Sequence, residues 1–558
     1  MLAATGWLAF FSILYLAVIQ YYFFKEFSAR FNLVAVDYLI YPHEVFINIY
    51  QSYHVASTLL IMATYATALL FLFWKWLTQK SSDHVPMKHR VRCTLTYVAV
   101  LVAFSTLFST HTFDFSSNRI TNEIAADGIS SFFEALHTNH LDYPAYYRTG
   151  DQQSLSRLLA STLAGDKSRT EPIGNTLNRV AVGNQNGLGA LNVVVIVEES
   201  LGCEQVDVCK HGLDIDSAIA SSPMLTPNLD KLARKGLFFN RAYATGTRTV
   251  RGLEAITTSF PPIPSESIIK RPGNDHVASW GKVMREQGYQ TSFLYGGYSL
   301  FDNMKAFYSG NDFTVKDRSD IDNPRFSNIW GVSDQDLFRY AKTYYDQVSA
   351  GGAPFFSIIM TTSNHSPFTF PEGIEGVRSQ GGGRLDGVRY ADYALGEFFR
   401  QVESTDWYQR TLFVVVADHG ARVYGSEKIP LPSYEIPLLI LAPGRLAPQQ
   451  MNSPISQIDI APTVMGLLGL PYTAPFFGQN IFAEHADARV LLFNHNHDVA
   501  LYQNGRLAVL GLRNDVHTYN YRLGDDRMQE TAQDQGIVDL ATAYYQTAFN
   551  LFVHHQYL

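Results

Sequence analysis

Three apolar runs in this chain each lead into side chains that bind cations or move protons. Asn192-Val-Val-Val-Ile-Val197 is followed by Glu198, Glu199 and Ser200, and Thr411-Leu-Phe-Val-Val-Val416 by Asp418, His419 and Gly420. Phe355-Phe-Ser-Ile-Ile-Met360 runs on to Asn364, His365 and Ser366. Each group alone has a bland reading: an acidic pair after a strand caps a helix, and an Asp-His pair is a structural hydrogen bond. At matching strand ends, however, two carboxylates and an imidazole form a ligand set for a hard or borderline divalent cation. A fourth element, Thr245-Gly-Thr-Arg-Thr-Val-Arg-Gly-Leu-Glu254, is rich in Gly and Thr and runs into a helical stretch at Leu253–Thr258. A hydroxyl at a helix N-terminus faces unbonded N–H groups and the positive end of the dipole, a seat for a phosphoryl oxygen; a plain threonine N-cap is the alternative.

The elements that must hold these groups are short β-branched strands alternating with helices. Besides the three runs above, Gln290–Tyr295 and Leu438–Leu441 have this character, and continuous apolar strands between helices mean a mostly parallel sheet covered on both faces. Helices announce themselves by punctuation: Thr226-Pro227 opens one that Gly236 stops, and Val277–Gln287 ends at Gly288. Ligands collect at the carboxyl ends of strands in such sheets, where the candidate residues fall. Past about 488, Val490–Phe493, Ala500–Tyr502, Leu507–Leu510 and Tyr519–Leu523 read as an antiparallel appendage, and Val538–Phe552 as a closing helix. The expected fold is α/β, with linker helices over 112–188 (Ile129–His137 and Ser154–Leu163), a catalytic domain over 189–487 and a small C-terminal β subdomain over 488–558.

The first fifth of the chain is different. Uncharged apolar runs at 2–24, 55–74 and 93–110 are each long enough to cross most or all of ~30 Å of hydrocarbon, so residues 1–111 are expected to form a three-span transmembrane region. Between the second and third runs, Lys75, Lys80, Lys88, Arg90 and Arg92 stand against Asp83 alone, which puts that loop in the cytoplasm and everything after Thr110 outside. The stretch Phe31–Tyr50 mixes aromatics with Asp37, His43 and Glu44 and suits a segment lying along headgroups or an ordinary surface loop. Composition agrees with lipid contact: charged residues are 17 % of the 558, below the ~25 % usual for soluble domains. Lys+Arg number 43 against 51 Asp+Glu, a net charge of −8 with no basic surplus, so nucleic acid is excluded as a partner. Three cysteines rule out a disulfide scaffold, although Cys203 and Cys209 leave either one small bridge or two buried thiols.

In order, NVVVIVEES, GTRTVRGLEA, TTSNHSPF, VVVADHG and SQIDIAPT (Ser456–Thr463) resemble the lipoteichoic acid synthase type of membrane phosphoglycerol transferase, within the alkaline phosphatase and sulfatase superfamily. The likeness runs from the spans to about residue 480. It implies that Glu199, Thr249, Asp418 and His419 hold a metal, that Thr249 is also the nucleophile, and that His365 contacts the phosphoryl group or headgroup. Glu198 would then be a wall residue, an exchange with Glu199 staying open. It implies Mn²⁺, with Mg²⁺ or Zn²⁺ as alternatives for a donor set of this kind. A metal that lowers the pKa of bound water to about 7 can equally favour a threonine alkoxide, so no separate base is required. The implied reaction moves glycerophosphate from phosphatidylglycerol to an extracytoplasmic glycan or lipid acceptor through a phosphothreonine. The implied location is an inner membrane, with the catalytic domain in the periplasm.

One departure concerns the headgroup. Where the family has Trp and Arg in a Phe-Trp-Asn-Arg segment, this chain has Phe301-Asp302-Asn303-Met304. Asp302 and Arg251 are therefore candidate substrate contacts, with Lys305 a further source of positive charge and solvated surface charge the alternative reading. Formylglycine sulfatases require Cys or Ser followed by Pro and Arg, which Thr249-Val-Arg-Gly lacks; a G-x-S-x-G elbow and a Walker loop are also missing. A phosphoethanolamine transferase, a phosphodiesterase or a non-catalytic lipid-binding envelope regulator would keep the same frame.

Overall fold

The computed structural model describes residues 2–79, 86–107, 115–138, 141–164, 169–173, 176–211, 224–483, 489–525 and 527–557. It divides into two compact units, one of Met1–Asn139 with Tyr424–Lys428 and one of His140–Val423 with Ile429–Leu558.

In the first unit, Leu2–Phe27 and Val55–Gln79 are helices long and apolar enough to cross a membrane. They pack side by side, with Trp7 Nε1 donating to Thr67 Oγ1 at 3.0 Å and the rings of Phe10 and Phe73 5.8 Å apart. Met87–Leu107 is also helical, but it opens with Lys88, Arg90 and Arg92. Its uncharged described part, 93–107, rises only about 22 Å at 1.5 Å per residue. The end of the expected third span (108–110), Lys80 and Asp83 lie outside the described residues. Phe31–Tyr50, expected as one interfacial or loop segment, is largely two short helices, Leu33–Ile40 and Pro42–Ser52, the first capped by Asn32.

The second unit is built on a nine-stranded sheet. Eight strands follow the order Gln449–Met451, Leu237–Tyr243, Glu435–Leu441, Thr411–Ala417, Asn192–Glu198, Phe355–Met360, Gln290–Tyr295 and Thr314–Lys316; Ile455–Ser456 joins Leu237–Tyr243 separately. Val193–Val197 and Leu412–Ala417 are wholly buried, which is why these strands read as unbroken apolar runs. Each Val or Ile buried there contributes roughly 1.5–3 kcal/mol.

All pairings are parallel except those of Glu435–Leu441, which runs antiparallel to both neighbours. The described link from Thr411–Ala417 to Glu435–Leu441 holds only a short 3₁₀ turn, Leu431–Tyr434, so the chain doubles back without the crossover helix that parallel strands use. Because Leu237–Tyr243 is in turn antiparallel to Glu435–Leu441, its carboxyl end returns to the same edge as those of Asn192–Glu198, Phe355–Met360 and Thr411–Ala417.

A five-stranded antiparallel sheet, Leu491–His495 to Gln529–Glu530, and the helix Gln535–Val553 complete this unit. Tyr545 of that helix joins the two, its hydroxyl donating to the carbonyl of Ala500 at 2.7 Å. The strand expected at Tyr519–Leu523 falls earlier, at Val516–Asn520, and pairs with a further short strand, Gln529–Glu530. Helix Gln152–Leu163, expected in a linker, belongs to this same unit: Gln152 Nε2 donates to Thr547 Oγ1 at 3.2 Å. The boundary expected at 487 and 488 lies outside the described residues.

Candidate metal centre and its surroundings

Glu199 follows the central strand in a tight turn. Ser200, in the left-handed region at φ 50°, donates its N–H to Asp418 Oδ1 at 2.7 Å and its hydroxyl to Glu199 Oε1 at 2.6 Å. The Asn364 amide, from the loop after Phe355–Met360, donates to the carbonyls of Glu199 and Ser200 at 3.0 and 3.2 Å. The Asp418 turn is gripped from the other side by Gln457. Its Nε2 donates to the carbonyls of Ala417 and Asp418 at 2.8 and 2.7 Å, while its Oε1 accepts the N–H of Thr245 at 3.0 Å. One glutamine thus ties the Thr245 turn to the Asp418 turn. The helix Thr249–Thr258 can close on that turn only because residue 252 is glycine, since a Cβ there would collide with the carbonyl of Asp418.

These clamps bring Glu199, Asp418 and His419 together, with one donor atom from each within 4.8 Å of the others. His419 Nε2 is 3.4 Å from Asp418 Oδ2 and 4.0 Å from Glu199 Oε1. Its Nδ1 sits 2.7 Å from the carbonyl of Gly420, which fixes the proton on Nδ1 and leaves the Nε2 lone pair for the cluster. Asp418 Oδ1 accepts two backbone N–H groups at 2.7 Å, while Oδ2 is buried without a hydrogen bond. Thr249, first residue of its helix, places Oγ1 3.4 Å from Glu199 Oε2.

Burial, then the neighbouring Asp418 charge, pushes the Glu199 carboxyl up to about 8; burial pushes Asp418 to about 7. Burial lowers His419. Two crowded carboxylates, one orphaned oxygen and an imidazole turned by a carbonyl are donors of the kind that a divalent cation site uses. The residues fit such an ion.

Glu198 points elsewhere. It is buried, its Oε1 makes no hydrogen bond, and burial together with Asp334 and Asp392 raises its carboxyl well above the usual range. The structure therefore brings Glu199 into the cluster and leaves Glu198 behind it, as the alternation of side chains along a strand requires.

His365 lies beside this cluster with its Nδ1 2.9 Å from the carbonyl of Ser366 and its ring 4.1 Å from that of Trp330. Burial first, then the charges of Arg384, His419 and Arg248, hold its imidazole at about 4. Arg384 lies over the Phe368 ring at 5.0 Å.

Arg251 is not brought to the cluster. It is buried, donates to Glu254 Oε2 at 3.0 Å and to the carbonyl of Ser265, and so serves the scaffold. Two residues beyond Thr249 on a helix, it necessarily faces away from it. Asp302 is likewise buried, with Lys270 Nζ 3.7 Å from its Oδ1, whereas Lys305 is exposed. The structure also closes the Cys203–Cys209 disulfide just beyond Glu199.

Trp330, Arg384, Arg248, Ser200 and Gln457 carry no role in the sequence reading. Ser200, Arg248 and Gln457 lie within the runs NVVVIVEES, GTRTVRGLEA and SQIDIAPT; Trp330 sits in a loop and Arg384 at a helix start, where no periodicity points to them.

A mixed sheet whose carboxyl edge gathers a carboxylate–imidazole cluster in front of a helix-initiating threonine defines a sulfatase-type enzyme frame. The chain belongs to the sulfatase family, which it matches over residues 191–470.

Among solved structures it is similar to a protein in the alkaline phosphatase superfamily from Vibrio parahaemolyticus. The TM-score is 0.68 and the identity 32 %, covering 75 % of this chain and 99 % of that one. It shares its fold with the lipoteichoic acid synthase LtaP from Listeria monocytogenes, with TM-score 0.55 and 17 % identity over 72 % of this chain and 98 % of that one. Lipoteichoic acid synthase 1 of Bacillus subtilis (strain 168) is 23 % identical over 427 residues, 67 % of this chain and 64 % of that protein. The Staphylococcus aureus (strain USA300) lipoteichoic acid synthase is 22 % identical over 448 residues, 70 % and 66 % respectively. The matches thus span just under two thirds of these relatives' own lengths.

Proposed function

We propose that this protein is a membrane-anchored, metal-dependent phosphoglycerol transferase. It takes glycerophosphate from phosphatidylglycerol, releases diacylglycerol, and delivers the group to an extracytoplasmic glycan or lipid acceptor. The observation that carries the reading is the Thr249 hydroxyl at a helix N-terminus, 3.4 Å from the Glu199 carboxylate and facing the Asp418–His419 pair. The names of the relatives and the two apolar helices near the N-terminus support it. The domain limits 1–111, 112–188, 189–487 and 488–558, an inner-membrane location and a periplasmic catalytic domain belong to the same reading.

Glu199, Thr249, Asp418 and His419 would hold the cation, Mn²⁺ in this proposal. When bound it supplies positive charge that neutralises the phosphodiester and favours the ionised threonine hydroxyl. Thr249 Oγ1 forms a bond to phosphorus as the bond from phosphorus to the diacylglycerol oxygen breaks, and the departing oxygen takes up a proton. The proton that leaves Thr249 passes to solvent, which supplies the one taken up by the departing oxygen. In the second half an acceptor hydroxyl attacks the same phosphorus, the ester to Thr249 breaks, and its oxygen regains a proton. The N–H groups at the start of Thr249–Thr258 and the side chains of His365, Arg248 and Arg384 surround the phosphoryl oxygens and headgroup.

The test is incubation of the full chain with headgroup-labelled phosphatidylglycerol, followed by mass spectrometry of the Thr249 peptide. A glycerophosphate adduct on Thr249, absent from Thr249→Ala, is expected. A phosphoethanolamine adduct formed from phosphatidylethanolamine instead would replace the donor. Absence of any adduct together with unchanged envelope function in Thr249→Ala would replace catalysis by lipid binding.

A further inference from the structure

The catalytic unit leaves large apolar side chains in solvent on the segments that lead to His365. Leu300 is 74 % exposed, Leu385 51 % and Tyr298 49 %. Leu300 precedes Phe301, whose ring lies 5.5 Å from Trp330, which lies 4.1 Å from His365. Leu385 follows Arg384, which covers Phe368 in the loop of His365. Ring contacts therefore lead from the chain neighbours of both leucines to one imidazole and its loop. Scattered exposed leucines are ordinary; leucines set beside cations around a reaction site are not.

Cations share this rim. Lys305 is exposed, and the Arg318 guanidinium lies over the Tyr298 ring at 4.3 Å. The Arg384 guanidinium lies 5.0 Å over the Phe368 ring. On a chain of net charge −8, cationic side chains thus stand close to these exposed apolar ones. Such a pattern matches a bilayer interface, where apolar side chains enter the headgroup layer while arginine and lysine keep their charges at the phosphates. The chain itself carries two helices fit to cross a bilayer, so a lipid surface is within its reach.

We infer that the rim of Tyr298, Leu300, Leu385, Lys305 and Arg384 seats the catalytic unit on an anionic phospholipid bilayer, with Leu300 and Leu385 entering the headgroup layer. This deepens the reading of a lipid donor and rests on it. An ester carried by a bilayer lipid then reaches Thr249 without leaving the membrane.

The experiment uses the full chain with the exposed Cys93 replaced by serine, the other two cysteines being joined in a disulfide. A fluorophore is placed at Leu300→Cys, Leu385→Cys, Val182→Cys or Val553→Cys, the last two being exposed apolar positions outside the rim. Each protein is put into nanodiscs carrying a headgroup-proximal nitroxide lipid in phosphatidylglycerol or in phosphatidylcholine. Quenching at 300 and 385 should exceed that at 182 and 553 at least twofold in phosphatidylglycerol, and the excess should fall in phosphatidylcholine. Equal quenching at all four positions would overturn the surface, and equal excess in both lipids would overturn its preference for anionic lipid. Quenching needs no turnover. An adduct on Thr249 without rim quenching therefore sinks only this inference, and rim quenching without an adduct sinks only the transferase reading.

Discussion

Two clusters of buried charge meet on one helix, Thr249–Thr258, and they are built differently. Arg251 and Glu254, three residues apart, pair at 3.0 Å, and the guanidinium also reaches the carbonyl of Ser265, so cation and anion cancel inside the protein. At the first residue of the same helix, Thr249 faces Glu199, with Asp418 and His419 alongside. There burial pushes both carboxyls up in pKa, Asp418 adding to the rise at Glu199, and one oxygen of Asp418 has no hydrogen bond. A charge cluster that closes on itself is scaffold. One whose carboxylates lack a cationic partner at a strand edge is suited to a cation that arrives from outside.

The largest expected effects break the open cluster. Asp418→Asn should abolish Mn²⁺ binding in calorimetric titration, and Thr249→Ala should retain measurable Mn²⁺ binding while transfer falls by more than about 10³-fold. If Asp418→Asn binds Mn²⁺ as the parent does, the contrast between the clusters is lost.

The closed cluster should fail in the opposite way. Arg251→Ala strands a buried Glu254 carboxylate and should cost about 3–5 kcal/mol in denaturant unfolding, with KM of the folded enzyme unchanged. A stable Arg251→Ala with a raised KM would return Arg251 to the headgroup.

His365 is the next test, because it borders the open cluster without joining it. His365→Ala should raise KM for the lipid about 10–100-fold, the loss of one hydrogen bond to a charged phosphoryl group, with a smaller effect on kcat. Its imidazole, held at about 4, stays neutral above pH 5. The KM ratio of parent to His365→Ala should therefore be flat from pH 6 to 8; a ratio bending near an ordinary histidine value of about 6.5 would contradict that environment.

The contrast between clusters also explains what could be read from the chain. Strands buried on both faces are continuous apolar runs, so Asn192–Glu198, Phe355–Met360 and Thr411–Ala417 were visible, and with them the edge to which Glu199, His365, Asp418 and His419 belong. Leu237–Tyr243 was not: the half-exposed Asn240 and exposed Arg241 interrupt its pattern at an irregularity in its pairing with Glu435–Leu441. The antiparallel sense of Glu435–Leu441 depends on the path of the preceding loop, which no local pattern records. Arg251 looked like a ligand because charge near a nucleophile draws attention, yet its partners Glu254 and Ser265 are decided by helix phase and a distant loop. Trp330 and Arg384 reach His365 and Phe368 only through tertiary packing.

The smallest expected effect concerns a carboxylate away from the open cluster, with Asp207 and Asp392 as acidic neighbours. Asp230, in the helix Pro227–Ala233, accepts the N–H of Val208 at 3.0 Å through Oδ1, while Oδ2 is buried with no hydrogen bond. Burial pushes its carboxyl up to about 7, against an unfolded value of about 3.9. Between those limits the folded state holds one more proton than the unfolded state, so Asp230 makes stability fall as pH rises, by up to about 1.4 kcal/mol per pH unit. Asp230→Asn keeps the bond to Val208 but buries an unpaired amide N–H, which costs about 1–3 kcal/mol and leaves a net gain on the order of 1 kcal/mol at pH 8. Near pH 4 the same variant should be no more stable than the parent. Thermal unfolding in detergent at several pH values, with and without Mn²⁺, checks both statements. A pH slope surviving in Asp230→Asn would assign it to other buried acids. A slope that Mn²⁺ removes in the parent but not in Asp418→Asn would assign it to the open cluster, because Asp418 belongs to that cluster and Asp230 does not.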